Sequence, residues 1–338
     1  MILYFALYLF MFLIALLNYN RLYILLVYFI LFLLLAFKGE VGCDYTGYLN
    51  RYIYFYPGET FISLRGEVGW WYIERFIYNQ DMDYQWYYIF SGFLAVFFCL
   101  LAQKHVKSIG LIILIYPIVF LQLGLSGIRQ FVAVSIVLYI VARYVFDLPK
   151  SIRPYIVWIL VAATFHVSAL IMLLFLPFLT KLNPWLIALL VIVGLIGFSS
   201  SFYETVSQVY QDRYFNETPR TSSGAWVRFM LTIILLALGV YTPGNIYLKL
   251  GIAIVVIGVI TGLINSIALH RLNYYFLPVA SILVLKRALT EVKGLISLRL
   301  AYLATFAYMI FWFTFSTHSH CILDYHFFFQ RENLILLQ

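Results

Sequence analysis

Eleven stretches of this chain are almost free of charge, and their lengths limit the fold more than any motif does. They cover 2–17, 21–37, 84–102, 109–123, 129–146, 154–178, 183–198, 225–241, 249–268, 272–287 and 300–316. About 20 apolar helical residues cross a bilayer, and these runs reach or approach that length. Ordinary soluble chains are about one-quarter charged, whereas this one is 11% charged over 338 residues. Such a chain could not cover the surface of a soluble globule. A soluble enzyme, a nucleic-acid binder and a disordered protein are therefore excluded. The expectation is an all-α, polytopic membrane bundle of about 11–13 helices, in which short or re-entrant helices line an outward-facing cavity. One transmembrane domain spans 1–338, with 38–83 and 199–224 as external loops.

The opening MILYFALYLF has neither the basic segment nor the small-residue cleavage site of a signal peptide, so it is expected to remain as a first span. Cys43, Cys99 and Cys321 fall in no ligand spacing. Neither a zinc site nor a disulfide framework is expected from them.

Lys and Arg in short loops set orientation. If every run crosses once and 38–83 faces outward, the 22 basic residues divide evenly and give no bias. If 154–178 is instead a hairpin bent near His166, twelve of them fall inside beside only Asp147 and Glu291. The hairpin topology is the better one on charge. Half of 25 residues is too short to span about 30 Å at 1.5 Å per residue, so the bend would lie within the membrane, lining a cavity. Lys38, Asp44, Glu67, Arg129, His166, Arg213, Arg220, Arg228 and Arg271 then all converge on the outer face.

Several segments carry candidate chemistry. If Asp44 starts a helix, it shares a face with Tyr48 and with Arg51 or Tyr52. A carboxylate beside Tyr45 and Tyr48 suits sugar binding, and an interfacial amphipathic helix suits the same pattern. In 65–75, Glu67, Trp70, Trp71 and Glu74 fall on one face; Glu67 is a candidate general base, and Glu74 reads as exposed. Asp81 and Asp83 precede a span and are expected to cap it. In GLSGIRQ, Gly124 and Gly127 break the chain, and Arg129 and Gln130 open a helix whose positive end suits an anion. His166 is an ionisable group within 25 uncharged residues, a base or a donor to phosphate. Arg271 is placed to clamp the same anion as Arg129. His318 and His320, at i and i+2, make a poor helical metal pair.

The order Gly42–Tyr48, Glu67–Trp70, Ser126–Gln130, Phe165–Ala169 and Arg271–Phe276 resembles the EpsG-like family of Wzy-type polysaccharide polymerases, over roughly residues 36–330. Two departures stand out. Lys38 occupies a position where the family often has arginine, and Asp324-Tyr325 replaces a common Pro-Tyr pair. The resemblance implies a glycosyltransferase-C-like bundle in a bacterial cytoplasmic membrane, with its site facing outward. It implies a polyprenyl diphosphate-linked oligosaccharide as donor and as acceptor, with no cofactor, no metal and no nucleic acid. Membrane lipids, a chain-length regulator and a flippase are the further partners it suggests. Arg129, Arg271, Gln130 and Lys38 would hold diphosphate. Glu67, Asp44 or His166 would act in catalysis, and Tyr45, Tyr48, Trp70 and Trp71 would hold sugar. A transporter with broken spans and an acyltransferase using His166 are the rival classes.

Overall fold

The computed structural model describes residues 1–16, 21–54, 67–147, 151–176, 223–240, 245–264, 266–323 and 325–327. The run 183–198, the loop 199–222, Arg213, Arg220 and Asp324 lie outside them. Every other apolar run becomes helix. In chain order these are α1 (Ile2–Leu16), α2 (Arg21–Ala36), α3 (Tyr45–Ile53), α4 (Val68–Asn79), α5 (Trp86–Val106), α6 (Gly110–Ile115), α7 (Ile128–Asp147) and α8 (Arg153–Phe165). After the gap follow α9 (Ser223–Gly239), α10 (Asn245–Ile264), α11 (Ser266–Thr290), α12 (Gly294–Phe315) and the short α13 (His320–Leu323). The protein is an all-α membrane protein, and α5, α7, α11 and α12 are each long and apolar enough to cross a bilayer.

Position in the bundle follows from which faces are apolar and covered. α7 and α11 form its centre: 83% and 72% of their apolar windows are buried, against 39% for α12. α5 and α8 pack on α7, while α9, α10 and α12 pack on α11. The outer helices turn bulky apolar side chains outward, such as Leu22, Leu263, Leu303 and Phe315. In a membrane that is the face lipid wets. α6 is buried on every side and continues as a π-helical stretch over Tyr116–Gly124. Its wider turns bring the chain to Leu125–Gly127, where α7 begins.

Within 38–54 and 67–83, α3 and α4 pack as one unit. α4 buries Trp70, Glu74 and Ile77 at i, i+4 and i+7, one helical face. Trp70 packs with Tyr48, Tyr87 and Ile128 in a second, aromatic core. Here two expectations fail. Glu74 is fully buried rather than exposed, because Arg51 donates two hydrogen bonds to its carboxylate (2.6 and 2.7 Å) and Trp70 Nε1 a third (2.6 Å). Asp81 and Asp83 do not cap α5: the helix starts at Trp86 behind Gln85, with no side-chain cap.

A third correction concerns the cysteines. Cys43 and Cys321 form a disulfide across 278 residues of sequence, with Cα atoms 5.1 Å apart. No local spacing could have shown a pair so distant in sequence. It belongs to a seam in which the C-terminal segment laces onto 38–43. Gly42 N–H donates to Cys321 O (2.8 Å), Gly39 N–H to His326 O (2.8 Å), and Lys38 pairs with Phe327.

Candidate active site

Gly42 sets the entry to the site. Its φ of +108° is open to glycine and strained for other residues, and any Cβ there would collide with the Leu125 carbonyl. That close approach seats Asp44 against the start of α7, where its backbone N–H donates to Ser126 Oγ (3.2 Å). α3 then begins directly after Asp44, as its spacing predicts. The Asp44 carboxylate is exposed and makes no hydrogen bond or ion pair among the described residues.

Arg129 stands on the first turn of α7, where helix polarity favours an anion. The structure supplies one: Glu67, the residue before α4, is 7% exposed and forms an ion pair with Arg129. The Arg129 guanidinium also lies over the Tyr48 ring at 5.7 Å. Its Nε is buried without a hydrogen-bond partner among the described residues.

The run 154–178 breaks where expected. α8 ends at Phe165, His166 is extended (φ −155°, ψ 115°), and a 3-10 helix runs over Val167–Phe175. The second arm folds back on the first, since Tyr155 Oη donates to Met172 O (2.8 Å). His166 itself caps the returning arm. Its Nδ1 accepts from Ser168 N–H (3.3 Å) and meets Ser168 Oγ (2.8 Å), which in turn meets Tyr275 Oη (3.0 Å). A nitrogen that accepts from an amide carries no proton, so in the neutral ring the proton sits on Nε2. This tautomer is assigned by its hydrogen bonds. Nε2 makes no hydrogen bond among the described residues. Arg129 and Arg271 both act electrostatically on this imidazole.

Arg271 lies inside α11, which starts at Ser266; the sequence placed it between two runs. Gln130 Nε2 donates to Arg271 O (3.1 Å), tying α7 to α11. Gln130 thus holds the backbone that carries Arg271. Lys38 is further back still. It is 1% exposed, donates to the carbonyls of Gly124 (3.5 Å) and Leu125, and lies 4.2 Å from the centre of the Tyr88 ring. An ammonium there closes the negative end of the π-helical stretch and supports the turn before Arg129.

Of the candidate residues, Tyr48 and Glu67 contact Arg129, Asp44 lies at the start of the same helix, Gln130 holds the Arg271 backbone, and Arg129 and Arg271 both act on His166. Trp70 is completely buried and Tyr48 nearly so, which leaves their rings no open face for a sugar. Tyr45 and Trp71 are half-buried, and Trp71 Nε1 is a buried donor with no partner among the described residues. Ser168 and Tyr275 were not singled out as site residues from the sequence. The signal was available in FHVS, where a histidine that breaks the run can cap the next turn by accepting from the serine two residues on.

A polytopic helical membrane protein in which two arginines act on a histidine at a helix break is the class these features define. The chain belongs to the EpsG family, whose sequence profile matches residues 21–327. That membership supports a polysaccharide polymerase-like role. Comparisons with curated proteins and with solved structures find no match.

Proposed function

We propose that this chain is a glycosyltransferase of the polysaccharide polymerase type. It transfers a polyprenyl diphosphate-linked glycan onto the non-reducing end of a lipid-linked repeat unit, at the outer face of a bacterial cytoplasmic membrane. One observation carries the reading: Arg129 opens α7 with a buried Nε that has no partner among the described residues, its field and that of Arg271 both reach the His166 imidazole, and an unpaired Asp44 carboxylate lies beside the same helix start.

In the proposed step an acceptor hydroxyl oxygen attacks the anomeric carbon of the donor sugar. The bond from that carbon to the diphosphate oxygen breaks, and its electron pair leaves with the diphosphate. Arg129 and Arg271 neutralise the charge that develops there, where fixed donors are most effective. His166 Nε2–H donates to the same anion. Asp44 takes the acceptor proton, because Glu67 is already committed to Arg129. Glu67 is then a positioning residue. Tyr45 and Trp71 hold sugar, and Lys38 and Gln130 fix the backbone around the anion. Two guanidinium groups supply the charge that a metal supplies in other enzymes, so activity is expected to survive EDTA.

The Cys43–Cys321 bond supports the outward orientation, since disulfides persist in oxidising compartments. The direct test uses purified protein in liposomes with a lipid-linked repeat unit. A ladder of products that disappears in Arg129→Ala supports the assignment. A normal ladder from that variant refutes it.

A further inference from the structure

α11 presents a second cationic centre on the face next to the first. Tyr275 meets Ser168, the partner of His166, and Arg271, four residues earlier, acts electrostatically on the same imidazole; His270 and Tyr274, also four apart, contact Arg228 on α9. Arg228 is 3% exposed. Its Nε donates to Tyr308 Oη (3.2 Å), its Nη1 to His270 (3.0 Å to Nδ1), and its guanidinium lies 4.8 Å from the centre of the Tyr274 ring. All three partners are neutral. Among the described residues no carboxylate pairs with Arg228. A buried charge without a counter-ion costs several kcal/mol, which makes an anion from outside the protein the natural complement.

The surroundings are also incomplete in a way that suits a ligand. Tyr308 Oη accepts from both Gln122 Nε2 (2.8 Å) and Arg228, so its own hydrogen finds no acceptor among the described residues. Gln122 Oε1 and Asn273 Oδ1 are buried acceptors without donors there, a match for a sugar hydroxyl rather than for the anion itself. Native structures rarely leave such groups unmatched.

Position identifies what the anion belongs to. The two centres sit on adjacent faces of one helix, a cylinder about 10–12 Å across with side chains. Asp44 acts electrostatically on Tyr48 of the first centre and on Tyr274 of the second, so one carboxylate influences both. In the proposed polymerase the leaving diphosphate occupies the first centre, and the sugars being joined extend from it. A group at Arg228 is then within a ring or two of the new bond. The diphosphate of the second lipid-linked unit, at the far end of its glycan, is too remote.

We infer that Arg228, with Tyr308 and His270, binds an anionic substituent, carboxylate or phosphate, on a sugar at the junction, so that the glycan polymerised is acidic. This rests on the polymerase reading.

The polysaccharide of producing cells is the first test: uronic acid or phosphate is expected in its repeat, and a neutral repeat overturns the inference. The second uses the purified full chain in nanodiscs, titrated with methyl glucuronide, methyl glucoside and inorganic phosphate. Wild type should favour glucuronide or phosphate over glucoside by about tenfold, the worth of one charge-assisted hydrogen bond. Arg228→Gln should abolish that preference, and Tyr308→Phe, which keeps the ring, should weaken it. Equal binding of all three probes by wild type overturns the inference, as does an unchanged preference in a folded Arg228→Gln. Farnesyl diphosphate, titrated separately against Arg129→Gln, reads the first centre. If it fails to bind while the glucuronide preference persists, the polymerase reading fails and the anion site stands.

Discussion

Glu67 and Arg129 lie 62 residues apart in sequence and form a nearly buried ion pair that joins the α4 segment to the start of α7. Removing either partner leaves the other as an uncompensated charge. Arg129→Ala and Glu67→Ala should each lose about 3 kcal/mol, measured by thermal or denaturant melts in detergent. The double variant should recover part of that stability and none of the polymer. Additive losses in the double-mutant cycle would show that the two do not interact.

Asp44 is exposed and unpaired, so its replacement should affect chemistry and spare the fold. Asp44→Asn is expected to lower kcat by about 10²–10⁴-fold, the usual contribution of a general base, with little change in KM for the lipid-linked donor. A variant with wild-type kcat would move the base elsewhere.

His166 has two separable jobs, a cap through Nδ1 and a donor through Nε2. Asparagine places an acceptor near the Nδ1 position, and glutamine places an N–H near the Nε2 position. His166→Asn should keep stability and lose activity, while His166→Gln should lose about 1 kcal/mol of capping and keep measurable turnover. The reverse pattern would make His166 a base.

The disulfide offers a test of both covalent structure and sidedness. In intact cells a membrane-impermeant maleimide should label nothing until reductant is added, then Cys43 and Cys321, while buried Cys99 stays unlabelled. Labelling confined to inverted vesicles would reverse the orientation. Cys43→Ser should cost about 2–5 kcal/mol.

Burial pulls the Lys38 ammonium, just beyond α2, from 10.5 down to about 7, against the opposing influence of Asp44. The unfolded chain keeps that proton to about 10.4. Between those values the unfolded state binds more protons, so stability rises with pH. Melting temperature should therefore rise from pH 7 to 9.5 more in wild type than in Lys38→Met. Parallel curves would mean that Lys38 is charged throughout.

The bundle was legible from hydropathy because lipid-facing and core positions are both apolar, so whole runs stand out. The site was legible where glycine or a lone polar residue interrupted a run, as at Gly124–Arg129 and His166. Where polar residues face a polar interior, the same logic misleads. His270 and Arg271 read as a connection between two runs, yet α11 starts at Ser266 and carries both. Arg228 follows the loop 199–224 closely in sequence, yet it stands inside α9, where an ionisable group is itself a functional signal. Glu74 looked like a surface acid because its partner, Arg51, comes from a separate helix. The disulfide left no trace in local spacing at all.

The seam between 38–43 and 320–327 also bears on how the protein is made. Asp44, Glu67, Arg129 and His166 all leave the ribosome long before His320–Phe327 do. Until that last stretch arrives, the segment bearing Asp44 has neither its covalent tie nor its backbone partners. A chain cut before Cys321 would hold Asp44, Glu67, Arg129 and His166 and still lack the tie that fixes the Asp44 segment. On the proposed function, activity would therefore follow the arrival of the strand-like partner at 326–327 rather than of the residues that bind substrate.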